Sequence, residues 1–218
     1  MRLTRAERRE QTRHELVTAA EECFVGGGFH ASSVEQIADR AGYSKGAVYS
    51  NFASKEDLFF AVYERRIEQA LTEVAPDLRK VGAEQAIDWL ATGSVERRGR
   101  DDGWLAVFLE FRAHVLRHPE LRERFAAIHA RFLELLTEAV RQLAADRGLV
   151  LPTDVNAAQV AVAWNAMEIG LTLERLTQPQ SVDGALARRM GWLLLDAALG
   201  AAPLSAGNDS PPQDRRIR

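Results

Sequence analysis

Apolar positions recur at three- and four-residue intervals along almost the whole chain, and the alternation that marks a strand is nearly absent. Leu16, Ala19, Ala20, Cys23 and Phe24 fall at i, i+3, i+4, i+7 and i+8, which predicts the buried face of a first helix. The run Gly26-Gly27-Gly28 ends it, because glycine accepts the left-handed conformation of a helix cap. Ser32 and Ser33 follow, with Glu35 and Gln36 three residues beyond them, the spacing of a capping box. A short second helix then turns Val34, Ile37, Ala38 and Ala41 inward until Gly42 breaks it. Ser44 caps a third helix predicted to run to about Phe52. Ser54, with Asp57 three residues on, caps a fourth that runs to about Val74, ahead of Pro76.

Longer amphipathic segments predict helices near 82–97, 102–117, 119–147, 154–176 and 182–200. The breaks are GRDDG (99–103), HPE (118–120), RGLVLPTD (147–154) and TQPQS (177–181). The stretch LSAGNDSPPQDRRIR (204–218) is rich in Pro, Ser, Gly and charge and reads as a disordered tail. The expected fold class is all-α, with a small N-terminal unit over residues 1–53, a larger helical unit over 54–203 and the tail.

Residues 33–52 have the build of a helix-turn-helix. Two short helices that cross closely need a small residue at the crossing, which Ala38 supplies. Four residues on, the turn needs a positive φ, which Gly42 supplies. The outward face of the second short helix then carries Tyr43, Ser44, Lys45, Gly46, Ala47, Tyr49, Ser50 and Asn51. That face suits a duplex. Ser44, Lys45 and Tyr49 can bond phosphates, and Gly46 lets the backbones approach. Lys45, Ser50 and Asn51 can meet base edges in the major groove. Ser33 starts a helix whose free N–H groups suit a phosphate, and Lys55 is placed for a flanking one. An arm holding Arg2, Arg5, Arg8, Arg9 and Arg13 against Glu7 and Glu10 suits the minor groove or the backbone. The alternative, on spacing alone, is a helical hairpin with solvated ends.

Bulk charge does not supply this reading. The net charge is −3, the pI is about 6.0, and residues 1–60 hold eight Lys/Arg against nine Asp/Glu. Any affinity for nucleic acid must come from local placement. The acids Glu15, Glu21, Glu22, Glu35, Glu56 and Asp57 are expected on the first helix and at helix starts, away from the proposed face. The single cysteine, Cys23, excludes a disulfide framework or a cysteine metal cluster within one chain, and its place on the core face marks an inert thiol. His114 and His118 share a helix face, but no third ligand is fixed, so no metal is expected. No glycine-rich phosphate loop follows a strand. The opening MRLTRAERREQTRHEL has no apolar signal-peptide core. The apolar run WLLLDAALGAAPL is cut by Asp196, so no membrane span and a cytoplasmic location are expected.

The stretch GFHASSVEQIADRAGYSKGAVYSNFASKEDLFFAV (28–62) resembles the N-terminal domain of the TetR family of bacterial repressors, and TRHELVTAAEECFVGGGF (12–29) resembles that family's first helix. The resemblance covers about residues 10–62. It is specific because Ala-Gly-Tyr-Ser-Lys-Gly, Tyr-x-x-Phe and Ser-Lys-Glu-x-Leu occur together in register. It implies an all-α homodimer with a three-helix DNA-reading domain and a divergent ligand-binding and dimerisation domain. Carried over by motif position, the DNA contacts fall on Ser33, Tyr43, Ser44, Lys45, Gly46, Ala47, Tyr49, Ser50, Asn51 and Lys55. The chain departs from the family at Ala47, where a larger residue or Thr is common, and at Asn51, where His is common.

In the C-terminal half the aromatic and methionine positions Trp89, Trp104, Phe108, Phe111, Phe125, Phe132, Trp164 and Met167 are expected to face inward. They form either core or the wall of a cavity between helices. Glu110, Arg112, His114, Asn165 and Glu168 are the polar groups among them, and a buried Glu168 needs a partner, which either a ligand or Arg112 could be. The expected effector-lining set is Trp89, Trp104, Phe108, Phe111, Arg112, Trp164, Asn165, Met167 and Glu168. The last two helices are rich in small residues, Ala157, Ala158, Ala161, Ala163 and Gly170, then Gly184, Ala187, Gly191, Ala197 and Ala198. Such faces permit a four-helix homodimer interface or an ordinary internal pair. The function expected is a ligand-responsive transcriptional repressor, with no cofactor and no catalysis, that leaves a palindromic operator on double-stranded DNA when a small-molecule effector binds. The alternative is a carrier or enzyme built in the C-terminal bundle.

Overall fold

Thr4 starts the first helix. Its hydroxyl accepts from the Glu7 N–H at 3.2 Å while the Glu7 carboxylate accepts from the Thr4 N–H at 2.6 Å, a reciprocal cap. The expected basic arm is therefore mostly helix. Arg5, Arg8, Arg9 and Arg13 lie on α1 because this cap sets the helix start ahead of them. The computed structural model describes residues 4–69, 71–72, 102–178 and 180–200. The helix predicted near 82–97, Trp89, the fourth helix beyond residue 72 and the tail lie outside the described residues.

Within them the chain is helical and no strand is formed. The elements are α1 (Arg5–Gly27), α2 (Val34–Ala41), α3 (Lys45–Tyr49), α4 (55–69), α5 (Asp102–Arg117), a 3-10 turn (Pro119–Leu121), α6 (Arg122–Asp146), α7 (Ala157–Thr177) and α8 (Gly184–Gly200). Helix α5 has the expected bounds. Helix α3 ends at Tyr49, short of the expected Phe52. Ser50 Oγ and Asn51 Nδ2 both donate to the Ala47 carbonyl at 2.8 Å, and such side-chain bonds compete with continuation of the helix. Helix α7 starts at Ala157 because Asn156 and Gln159 form a capping box that the sequence reading did not identify.

Two apolar clusters hold the elements together. The first gathers α1, α2, α3, α4, α5 and the start of α6, from Leu16 to Ile128, around rings that are wholly buried. Phe111 of α5 stacks on Phe59 of α4 with centroids 3.9 Å apart, and meets Phe29 and Phe60 edge-on at 4.9 and 5.1 Å. The second joins α6, α7 and α8 around Leu136, Leu143, Trp164 and Leu195. Phe132 packs against both.

The loop between α1 and α2 is clamped from two sides. Gly28 turns it with φ 86°, a conformation that favours glycine, and a Cβ there would stand 2.8 Å from the Glu110 carboxylate and push it aside. That carboxylate, on α5, accepts from the Phe29 N–H at 2.8 Å. From α4, Lys55 Nζ donates to the carbonyls of Phe29 and Ser32 at 2.9 and 3.1 Å and lies 4.5 Å from the Phe29 ring. Removing the ammonium strands these carbonyls, each in a partly buried setting. Lys55→Ala is expected to destabilise the protein by about 1–3 kcal/mol, measured by urea unfolding. A midpoint unchanged from wild type would show that water replaces the ammonium without loss.

Candidate nucleic-acid interface

The helix-turn-helix forms as its spacing predicts. Ser33 caps α2, with Gln36 reaching back to the Ser33 N–H at 2.8 Å. Ser32 is instead buried, its hydroxyl donating to the Cys23 and Gly28 carbonyls at 3.0 and 2.7 Å. Gly42 takes the left-handed conformation at φ 74°, and the Tyr43 N–H closes onto the Ala38 carbonyl at 2.9 Å, which ends α2 and redirects the chain. Ser44 then caps α3 through the Ala47 N–H at 3.2 Å. Val48 and Phe52 are buried and fix the face that α3 turns outward.

On that face Ser44, Lys45, Gly46, Tyr49 and Ser50 are exposed, and Ala47 and Asn51 are half-buried. Several already hold partners within the chain. Lys45 pairs with Glu35 and lies 5.8 Å from the Tyr49 ring. Tyr43 is half-buried and its hydroxyl donates to the Glu15 carboxylate of α1. The Asn51 amide group is turned back onto α3.

The acids fall mostly where expected. Glu21 pairs with Arg65 and Arg66 of α4, and Glu22 with Arg40 at 2.6 Å. Glu15 and Glu35 are the corrections. Both were expected away from the proposed face. Glu15 accepts from the Tyr43 hydroxyl, and Glu35 stands against Lys45, because α2 and α3 cross with these two exposed side chains adjacent. The pairing holds the Glu35 carboxyl below its usual range and raises the Lys45 ammonium.

The expected effector-lining residues divide between the two clusters. Phe108 and Phe111 are buried in the first, with Trp104 packed against it. The Trp104 ring also receives Arg66 at 4.3 Å. Trp164 belongs to the second cluster, with Met167 packed against it. Asn165 and Glu168 are buried on the same helix. Arg112 lies over the Phe108 and Phe125 rings at 5.6 and 6.0 Å.

Tyr63, which sequence reasoning did not single out, and His129 stand beside it, with Oη and Nδ1 2.6 Å apart. Burial raises the Tyr63 phenol and takes His129 down to about 4. His114 stacks on His118 at 4.0 Å, with Nε2 3.4 Å from Glu56. Burial, then His118, lowers its pKa, and Glu56 opposes this. These two lowered histidines set a pH dependence. From their ordinary value of 6.5 down to about 4, the unfolded chain binds protons at His129 that the folded chain does not. Stability therefore falls as pH falls through that window, and His129 adds no further loss below it. The Tm is expected to be lower at pH 5 than at pH 7.5, and His129→Gln is expected to flatten part of that slope. An unchanged slope in the variant would remove His129 as its source.

The family description "Bacterial regulatory proteins, tetR family" matches residues 16–62. "BetI-type transcriptional repressor, C-terminal" matches residues 83–200, more than half the chain. The chain belongs to the TetR family of transcriptional regulators. Over 147 residues it is 30% identical to the HTH-type transcriptional repressor AcnR of Corynebacterium efficiens, an alignment covering 66% of this chain and 71% of that one. Over 71 residues it is 45% identical to the HTH-type transcriptional activator FasR of Mycolicibacterium smegmatis, covering 33% of this chain and 32% of FasR. The crystal structure of FadR from Bacillus subtilis in complex with stearoyl-CoA matches with a TM-score of 0.68 at 18% identity, over 87% of this chain and 98% of that one. At that identity the likeness is one of fold. No described helix is long and apolar enough to cross a membrane.

Proposed function

We propose that this regulator is a ligand-responsive repressor that grips a palindromic operator as a homodimer and releases it when a small molecule binds in the C-terminal unit. Residues 1–53 are the DNA-reading unit and 54–203 the ligand-binding and dimerisation unit, although the first apolar cluster runs across that boundary. The observation that carries the reading is the presentation of α3. It is anchored by Val48 at 2% exposure while Ser44, Lys45, Gly46 and Tyr49 face solvent. Tyr49, at 49% exposure, is a large ring outside both apolar clusters.

The dimer reading rests on α7 and α8. Val162, Leu173 and Leu193 are exposed there, among the small exposed residues Ala158, Ala163, Ala166, Gly170 and Ala197. A two-fold pairing of these faces buries that apolar stripe. Two helix-turn-helix units so joined read half-sites roughly 34–36 Å apart, or a multiple of that, which demands a near-palindrome. FadR from Bacillus subtilis, of like fold, was crystallised with stearoyl-CoA, which supports a small-molecule ligand for this chain.

The test is fluorescence anisotropy of the full chain on labelled DNA from upstream of its own gene, against random DNA, at two salt concentrations. Preference for the upstream DNA with steep weakening by salt supports the reading. No preference for any duplex, including those from a random-sequence selection, would place the function in the C-terminal bundle alone.

A further inference from the structure

Arg112 bears on the effector's chemistry. Most basic side chains around the α4–α6 layer meet an acid or a carbonyl. Arg65 and Arg66 meet Glu21, Arg124 meets Asp57, and Arg131 stands 3.6 Å from Glu68. Lys55 is held by carbonyls. Arg112 is half-buried, and among the described residues its guanidinium meets no carboxylate and makes no hydrogen bond. Glu110, two residues earlier on the same helix, is committed to the Phe29 N–H.

The groups around this guanidinium do not answer its charge. Phe108 and Phe125 present ring faces at 5.6 and 6.0 Å. Tyr63 and His129 are bonded to each other, and burial keeps both uncharged at neutral pH. Ring faces satisfy the plane of a guanidinium and leave its N–H edges, a fork of donors whose spacing matches a carboxylate. A half-buried cation with no anion beside it is left uncompensated, so the arrangement is completed by an anionic partner. The surrounding walls are aromatic. Trp104 and Phe108 lie 6.2 Å apart, and Phe108 and Phe125 6.0 Å.

We propose that this is the effector site and that the effector is an organic carboxylate with an apolar body, its carboxylate on the Arg112 fork and its body against Trp104, Phe108 and Phe125. This deepens the reading of the chain as a ligand-responsive regulator and rests on it. The site also has a path to the DNA-reading unit. Tyr63, which meets Trp104, Phe108 and Phe125 at 6.2, 5.2 and 5.8 Å, lies on α4 two turns beyond Lys55 and so beyond the clamp on the α1–α2 loop. A body seated on these rings displaces Tyr63 and α4 with it.

The experiment uses the full chain and four probes below their micelle concentrations: decanoate, 4-phenylbutyrate, decanol and decyltrimethylammonium. Binding is read by isothermal calorimetry without DNA, and release by anisotropy with DNA. At least one carboxylate is expected to bind and release the DNA where decanol and the ammonium do not. Arg112→Gln is expected to weaken that binding by at least about tenfold, with Arg112→Lys weakened less, because a charge is kept while the fork is lost. Which carboxylate binds separates an aliphatic body from an aryl one.

Decanoate and phenylbutyrate binding no better than decanol overturns the proposal, as does full affinity in Arg112→Gln. If that variant does not fold, the comparison of acid with alcohol in the wild-type chain decides alone. Release by the ammonium and not by the acids defeats the carboxylate assignment while leaving the ligand-responsive reading standing. Absence of any DNA preference defeats that reading, and the calorimetry remains a separate measurement.

Discussion

Phe111→Ala is expected to lower the Tm by roughly 10 °C, the shift that a loss of about 3–5 kcal/mol produces in a chain of this size. The ring is wholly buried, and its partners come from three places: Phe29 from the loop after α1, Phe59 and Phe60 from α4. Truncation therefore opens a cavity where the DNA-reading helices, α4 and the C-terminal unit meet, and rigid rings around it collapse poorly. Because the cavity is shared, calorimetry should show the whole transition moving. A shift below about 3 °C would mean that the surroundings close over the gap. A C-terminal transition moving while the N-terminal one stays would show that the two units do not share this core. Phe111 was expected to line the effector region. With 0% exposure it offers no free face to a ligand, and a truncated ring should alter ligand affinity only through the fold.

The helix-turn-helix was legible because its determinants are local. Ala38, Gly42, Ser44 and Val48 each act within a turn or two of their own position, so spacing in the sequence is spacing in space. The same holds for Ser54 as the cap of α4, where its hydroxyl accepts from the Asp57 N–H at 3.1 Å. Partnerships across long separations were not legible. Glu110 was read as a polar group for a ligand, yet it holds the backbone of residue 29, 81 positions away. Lys55 was placed for a phosphate, but its ammonium turns onto the carbonyls of residues 29 and 32. Periodicity gives the face on which a side chain sits and says nothing about which distant group meets it there. Arg112 was named as an effector residue on type alone. That no carboxylate among the described residues meets it is visible only in the structure.

Glu110 and Lys55 also define how a change in the C-terminal unit could be felt at the recognition helix. One comes from α5 and one from α4, and both end on the loop that joins α1 to α2. A relative shift of α4 and α5 must either drag this loop or break one of the two clamps. The loop leads directly into Ser33 and the start of α2, against which α3 is packed. Coupling by this route would be local at its last step and would not require α4 to move the whole DNA-reading unit as a rigid body.

Gly46→Leu separates the DNA contact from the fold. A Cβ at Gly46 would meet only Ser44 Oγ, at 3.8 Å, so the free protein has room for a side chain. The position lies inside α3, where leucine is favoured over glycine by about 0.7–1 kcal/mol. The Tm is therefore expected to hold or rise. Binding should respond in the opposite direction. If α3 lies against the duplex with Gly46 at its closest approach, four added carbons displace the helix from the phosphates on which Ser44 and Tyr49 depend. An operator affinity at least about a hundredfold weaker, or roughly 2.7 kcal/mol, is expected. Lys45→Ala should behave differently. It removes one cation that must first leave Glu35, so it should flatten the dependence of log K on log salt by about one unit and cost less affinity. Anisotropy titrations at several salt concentrations, with thermal melts of both variants, distinguish the two effects. If Gly46→Leu binds within about threefold of wild type, less than a kcal/mol, the duplex does not approach α3 at Gly46, and the contact face must be rebuilt around the ends of α2 and α3.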